Sequence, residues 1–429
     1  MKLLARILLA LVTPVAAAAA QQATPAQRAT FVRFGAVVDL GRSRRNAVIE
    51  IRGDTIVAVR AGTWAIPRGA LVVDLRRYTA IPGLIDAHTH MTYWRDTSNM
   101  QLPPPRSKDS VVTMAAENAR KTLETGVTTV RDLGASNYTD IAMRDSISKG
   151  VMLGPRMFVA GFGLSKVTTA PRADAPPAVP RGRVRDTSEI KDAIKAQVDA
   201  GADWIKMYGS TGSFQNVTGV QTFTDDEMRV AAETAHRLGK PIAIHSYGAS
   251  GGRAALRAGA ESVEHPVSLD DATLAEWAKT GTVYVPTNDH NRFYAENAKL
   301  LGYDSLQVAA LDSFRLLNIQ TTRRAHKAGV KIAMGSDAVY WMFGQNTREL
   351  GQLVKAGMTP AEALASATTI PAAMLGKANK LGRIAPGFYA DIVAVEGDPL
   401  TDVRVVIDRV RWVMKGGKVV VEKTQFRGR

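Results

Sequence analysis

The chain of 429 residues contains no cysteine. That excludes disulfides, a cysteine nucleophile and any thiolate metal site. Histidine is scarce too, with seven in all, so histidines set close together are informative. There is no repeat of solenoid length. Nor is there a basic helix with interleaved aromatics or another nucleic-acid module, although the net charge is +15 and arginines cluster in residues 42–45 and 172–185. The excess charge reads as a solvated basic surface, or as a field that steers anionic substrates. The N-terminal apolar run, residues 7–20, is too short for an ordinary membrane span. Preceded by Lys2 and Arg6 and ending at Ala18-Ala19-Ala20 before Gln21, it has the pattern of a secretory signal, the alternative being an uncleaved anchor. A cleaved signal predicts export, which for a cysteine-free protein suits a bacterial periplasm, with no stable membrane insertion afterwards.

What is present suffices for a large core, since 45% of residues are hydrophobic. Residues 31–39, 47–52 and 55–60 alternate as strands, with a tight turn at Gly53-Asp54. Residues 390–395, 410–414 and 418–422 repeat that pattern, with a hairpin turn in Lys415-Gly-Gly-Lys418. The two chain ends are therefore expected to pair into one small β-domain. Between them, apolar strands are predicted at 84–87, 128–131, 156–160, 204–207, 242–244, 262–264, 283–285 and 331–334. Helical patterns such as 189–200, 225–238 and 306–328 separate most of them. Strands with helical crossovers predict an α/β fold, a closed parallel (β/α)8 barrel. The domain reading is a signal at 1–20, a composite β-sandwich from 21–81 and 388–429, and the barrel over 82–387. The Pro-, Ala- and Arg-rich stretch 165–185 reads as a long surface loop after the third strand, either a lid or a disordered insertion.

His88 and His90 are one residue apart at the end of the first barrel strand, so their rings share a face and can be offered to one metal ion. Lys206, His245, His265 and Asp337 each follow a later predicted strand. In a parallel barrel the chemistry sits at those strand ends, and six such residues argue for a shared centre. Taken singly, each has a bland alternative. Lys206 alone reads as a solvated or ion-paired lysine, and Asp337 alone as a helix cap.

The chain resembles the amidohydrolase superfamily, in its imidazolonepropionase-like and prolidase-like (Xaa-Pro dipeptidase-like) branch. The resemblance rests on Ile81-Pro-Gly-Leu-Ile-Asp-Ala-His-Thr-His90, Gly126-Val-Thr-Thr-Val-Arg-Asp132, Lys206, His245, Glu264-His265, Gly335-Ser-Asp337, Leu381-Gly-Arg-Ile-Ala-Pro-Gly387 and Ala390-Asp391. It implies two divalent ions, usually zinc. His88, His90 and Asp337 would hold one, His245 and His265 the other, and Lys206 would bridge them as its carbon dioxide-derived carbamate. An ammonium cannot ligate a metal, whereas a carbamate offers two anionic oxygens. The implied reaction is hydrolysis of a C–N amide or peptide bond by a hydroxide bridging the metals, with Asp337 shuttling the proton to the leaving nitrogen. Imidazolonepropionase lacks the lysine, so Lys206 favours the prolidase-like side.

The implied substrates are dipeptides or N-acyl amino acids, in a dipeptidase or carboxypeptidase-type cleavage with Xaa-Pro foremost. The rival substrates are a cyclic amide or an aryl-amide toxin of the N-acyl-phenylalanine kind. The rival of another class is a barrel that binds metal without catalysis. The family often forms homo-oligomers. A substrate carboxylate needs an anchor, and Tyr247 and Arg253 follow the fifth strand; the alternative for Arg253 is a surface residue of the helix's first turn. His290, after the seventh strand, is read as binding substrate or stabilising the transition state, or else as an exposed loop histidine. His236 and His326 fall in helical patterns as surface or packing residues, while Tyr93, Trp94 and Tyr208 are candidate pocket aromatics. Two departures from the branch pattern reshape pocket loops: Tyr208-Gly-Ser-Thr-Gly212 replaces a Gly-Gly pair after Lys206, and Pro266 replaces the glycine common after the sixth-strand histidine.

Overall fold

Alternation of apolar residues shapes the first part of the chain. The computed structural model describes residues 29–93, 107–167, 182–212, 217 and 219–424. Strands β1 (Thr30–Asp39), β2 (Arg42–Arg52), β3 (Thr55–Ala61) and β4 (Leu71–Pro82) turn Val32, Phe34, Ile49, Ile51 and Ile56 into one core. The β2–β3 connection is the expected Gly53-Asp54 turn.

A single residue, Gly83, then separates β4 from β5 (Leu84–Thr89), which carries the His-Thr-His end. A Cβ on Gly83 would lie 2.2 Å from the Thr128 hydroxyl, so only glycine fits this junction. β5, β6 (Val127–Asp132) and β7 (Arg156–Val159) form a three-stranded parallel sheet. The short strands β8 (Ser165–Lys166) and β9 (Arg183–Val184) pair with each other. A second parallel sheet contains β10 (Ile205–Tyr208), β11 (Ile242–His245), β12 (Ser262–Glu264) and β13 (Val283–Val285). Helices Thr187–Asp199, Asp225–Arg237 and Ser305–Lys327 lie within a residue or two of the expected positions.

The expected strand at 331–334 is not a regular strand. Its place is taken by a bridge between Tyr284 and Ile332 on one side and by an Ala87 N–H bond to the Met334 carbonyl on the other. The chain turns away at once into Gly335, whose Cβ would stand 2.4 Å from Val285 and 2.9 Å from the His88 Cβ. On the opposite edge, Leu164 bridges Met207 and the Trp204 N–H bonds to the Val159 carbonyl. The two parallel sheets are thus linked at both edges in a mixed α/β arrangement.

β14 (Ile392–Val395), β15 (Val410–Lys415) and β16 (Lys418–Glu422) return to the first sheet, whose order is β16-β15-β14-β4-β1-β2-β3. Both chain ends therefore build one seven-stranded sheet. Phe34 and Trp412 meet at 6.4 Å between ring centroids although β4 and β14 stand between their strands. A flat sheet would separate β1 from β15 by about 14 Å, so this one curls over its own core. The signal segment and residues 168–181 of the expected surface loop lie outside the described residues. Among the described residues no helix is long and apolar enough to cross a membrane.

Asp391, just before β14, joins the curled sheet to the parallel strands. Its carboxylate accepts from Arg156 Nη1 at 2.7 Å and from the Gly416 N–H at 2.7 Å. Asp391→Ala leaves the Arg156 guanidinium without its anion, and a loss of about 1.5–3 kcal/mol of stability is expected, read from urea unfolding followed by circular dichroism. A change smaller than about 0.5 kcal/mol, the scale of an ordinary surface substitution, would show that this joint is not stabilising.

Candidate metal centre

The strand ends bring most of the sequence-predicted residues into one cavity of about 270 Å³, whose wall includes His88, His90, Lys206, His245, His265 and Asp337. His290 and Tyr247 line it as well. The Asp337 carboxylate is the focus. His90 Nε2 lies 3.3 Å from it, His88 Nε2 3.5 Å, His290 Nε2 3.5 Å and His265 Nε2 3.9 Å. The ligand atoms of His88, His90 and Asp337 lie within 4.8 Å of one another, close enough to share a cation. The His245 ring stands 4.9 Å from that of His265.

Three of the rings are held through Nδ1 by groups that can only accept. His88 Nδ1–H donates to Glu264 at 2.8 Å, His90 to the Gly134 carbonyl at 3.0 Å and His290 to the Asp337 carbonyl at 2.8 Å. With the proton on Nδ1, a ring in its neutral form turns its Nε2 lone pair towards the cavity, the arrangement metal-binding histidines use. His265 Nδ1 pairs with the Thr287 hydroxyl at 2.6 Å. His245 Nε2 is buried without a hydrogen-bond partner among the described residues, a desolvation cost that a bound cation would remove. His265, Thr287 and Asp337 all adopt left-handed backbone (φ 70°, 49° and 51°), strain of the kind that collects at functional sites.

The electrostatics agree with cation binding. Burial, against the pull of Asp337, holds His88 down at about 4, and burial together with the Lys206 charge holds His245 at about 3. Burial also lowers His265 well below the usual imidazole range. These rings are therefore neutral donors at ordinary pH. His90 moves the other way: burial opposes its charge, but the Asp337 carboxylate outweighs burial and raises it. Asp337 itself is pushed up by burial, yet His290, His88 and His90 hold it well below the carboxylate range, so it stays ionised. Lys206 is 1% exposed, and burial lowers it to about 8. Its ammonium has no ion pair among the described residues; the Tyr208 ring lies 5.3 Å away. That leaves some neutral amine at ordinary pH, the form that adds to carbon dioxide.

Arg253 is elsewhere. It bonds to Thr273 and pairs with Asp270 on the neighbouring helix Asp271–Trp277 and its cap, outside the cavity wall. The expected carboxylate anchor is therefore a surface ion pair, because Arg253 falls on the outward face of helix Ala249–Arg257. His236 and His326 are likewise outside, paired with Glu261 and Glu362. Tyr93 and Tyr208 do line the cavity, while Trp94 lies outside the described residues.

Sequence reasoning missed several supporting residues. Arg131 is fully buried, donates to the Ala87 carbonyl at 2.6 Å and pairs with Glu264 at 2.9 Å, and Glu264 in turn holds His88. Asp86 accepts from the Ser336 N–H, the Ser336 hydroxyl, Asn346 and the His88 N–H. Arg131, Glu264 and Asp86 all stand inside quoted motifs. The available signal was a charged residue within an apolar strand, which is costly to bury unless it is paired. Tyr294, one helical turn after His290, also faces the cavity.

The amidohydrolase family model matches residues 79–420. Ochratoxinase of Aspergillus niger is 29% identical over 415 residues, covering 88% of this chain and 84% of its own. Imidazolonepropionase of Chloroflexus aggregans is 25% identical over 421 residues, covering 88% and 91%. A crystal structure of a Xaa-Pro dipeptidase with methionine bound in the active site superposes with a TM-score of 0.83 at 30% identity, over 91% of this chain and 99% of that one.

Glu264→Gln removes the charge shared by Arg131 and His88. Retention of divalent metal against a chelator is expected to weaken by about tenfold to a hundredfold, with the circular dichroism spectrum preserved. Arg131 and His88, outweighing burial, hold the Glu264 carboxyl at about 2 against its ordinary 4.5. Its stabilisation is therefore present above 4.5 and lost as pH falls towards 2, so the stability advantage of the natural protein over the variant should shrink across that window.

Proposed function

Because the chain belongs to the amidohydrolase family and is a hydrolase of carbon–nitrogen bonds, we propose that it cleaves the amide bond of dipeptides or N-acyl amino acids, with Xaa-Pro dipeptides first. The observation that carries this reading is the convergence of four imidazole Nε2 atoms on the Asp337 carboxylate within one cavity. Likeness to a Xaa-Pro dipeptidase supports the dipeptide. A second reading, an aromatic N-acyl amino acid, is favoured by the rings of Tyr93, Tyr208, Tyr247 and Tyr294 around the cavity and by likeness to an ochratoxinase.

In this reading His88, His90 and Asp337 would hold one divalent ion, probed first as zinc, and His245 and His265 a second, and Lys206 as its carbamate would contribute to both. Bound there, the ions would supply Lewis acidity, polarising a carbonyl and bringing the pKa of water towards neutrality. Asp337, ionised and facing the rings, takes the proton of the attacking water and delivers it to the leaving nitrogen. His290 holds its Nδ1–H on the Asp337 carbonyl and turns Nε2 to the cavity; with a proton on Nε2 as well, the ring would donate to the carbonyl oxygen as negative charge develops. Tyr247 is packed between Phe314 at 4.5 Å and His245 at 4.9 Å. Burial raises its phenol, so it serves as a neutral hydroxyl donor to the substrate carboxylate in place of Arg253.

The same proposal takes the two linked parallel sheets as one closed (β/α)8 barrel over residues 82–387, with 21–81 and 388–429 as the composite β-sandwich. The edge bonds of Leu164, Tyr284 and Ala87 support that closure. It also includes export to a bacterial periplasm and assembly into homo-oligomers.

The test is turnover of a panel of dipeptides, N-acyl amino acids and cyclic amides by protein stripped with chelator and then restored with zinc or manganese and bicarbonate. Activity is expected to vanish on stripping and return on restoration. No turnover of any amide with both ions bound would favour the catalytically inactive metal-binding barrel. Asp337→Asn is expected to lower kcat by about 10²–10⁴-fold while part of the metal, measured by elemental analysis, is retained by the histidines. Unchanged turnover would remove Asp337 from the proton path.

A further inference from the structure

The chain that follows the Gly335-Ser-Asp337 run braces two sides of the cavity from behind. Asn346 is fully buried, and its Nδ2 donates to Asp86 Oδ2 at 2.9 Å. The same Asp86 carboxylate accepts the Ser336 N–H at 2.9 Å and the His88 N–H at 3.2 Å, and the Asp337 N–H bonds to the His88 carbonyl at 2.7 Å. Asn346 thereby closes the node that sets His88 against Asp337. Three residues on, Glu349 opens helix Arg348–Lys355 and is also fully buried. It reaches the other side: Oε1 accepts the Asn288 N–H and Nδ2, each at 3.0 Å, and Oε2 accepts the Asp289 N–H at 2.7 Å. These are the two residues immediately before His290. Gln352, one helical turn further, donates to Asp289 Oδ1 at 2.9 Å.

We propose that Asn346 and Glu349 form a two-point clamp, in which Asn346 sets the His88–Asp337 node, Glu349 sets the loop that presents His290, and the spacing between them fixes how far His290 stands from the metal-binding group. Neither residue lines the cavity, so both are positioning residues. The chemistry favours Glu349 for this task. An acid with two oxygens can accept two consecutive backbone N–H groups at once, whereas an amide presents a donor to one of them. Burial pushes the Glu349 carboxyl well above the usual carboxylate range, and no cation pairs with it among the described residues; so costly a group is retained here where the loop needs two acceptors side by side. The clamp rests on the reading that His290 faces the substrate, and its test is chosen to separate the two.

The chain has only seven histidines, so selective ¹⁵N-histidine labelling resolves each ring by NMR without any substrate. Glu349→Gln is expected to move the His290 ring signals and erode its Nδ1–H tautomer while those of His88 and His90 stay in place. Asn346→Ala is expected to move the His88 signals most, with a smaller shift at His290, whose Nδ1–H rests on the Asp337 carbonyl. Asn288→Ala, which removes only one of the Glu349 bonds, should give a smaller shift of His290 in the same direction, and it serves if Glu349→Gln does not fold. On an active substrate, Glu349→Gln should lower kcat by about 10-fold to 100-fold at unchanged metal content, the scale of a misplaced catalytic group. That loss should disappear when His290→Ala is already present. His290 signals unmoved by both Glu349→Gln and Asn288→Ala, or a kcat loss that simply adds to that of His290→Ala, would overturn the clamp. If the NMR pattern holds but the natural protein turns over no amide, the clamp stands and the functional reading falls.

Discussion

A buried negative charge with nowhere to spread organises this molecule. Asp337 sits in left-handed backbone at the end of a strand position, ringed by the Nε2 atoms of four histidines. Three rings of the site are lowered into the neutral form by burial. A carboxylate facing neutral rings in a low-dielectric wall calls for a cation. In the metal-free protein the candidates are Lys206 and a proton on His90. With Lys206 as a carbamate, as proposed, the pocket would instead hold two negative charges, and bound divalent ions would supply the positive charge facing them.

Around this centre two of the buried carboxylates, Glu264 and Asp86, are held in satisfied sets. Arg131 neutralises Glu264, and Glu264 is thereby free to orient His88. Asp86 takes four donors. The first set joins three strands and the second ties β5 to the chain after Gly335, so the rings are located by the parallel sheets and what packs on them rather than by their own loops alone. A binding geometry built this way tolerates little movement, because the rings of His88, His90, His265 and His290 each have a second anchor at Nδ1.

How much of this is legible before folding depends on range. The strand ends that carry His88, His90, Lys206, His245 and His265 follow from apolar runs of a few residues, and they fall where the alternation puts them. The strand expected at 331–334 dissolves into isolated bridges because Gly335 must pass within contact distance of Val285 and His88, a crowding invisible to a local pattern. Arg253 shows the same limit. It occupies the right loop by count, but the face of its helix turns it to Asp270.

The amino-acid order alone determined the β-strands at both ends, the His-Thr-His placement and the run of ligand-type residues after successive strands, since a period of two or 3.6 residues is a short-range property. The tertiary structure alone decided which acceptor holds each Nδ1, which arginine is buried beside Glu264 and which is spent on the surface, and that Glu349 reaches the loop of His290. Those are partnerships between residues as far apart in the chain as Asp86 and Asn346, and only the packing of strands and helices around a common core brings such groups within hydrogen-bonding distance.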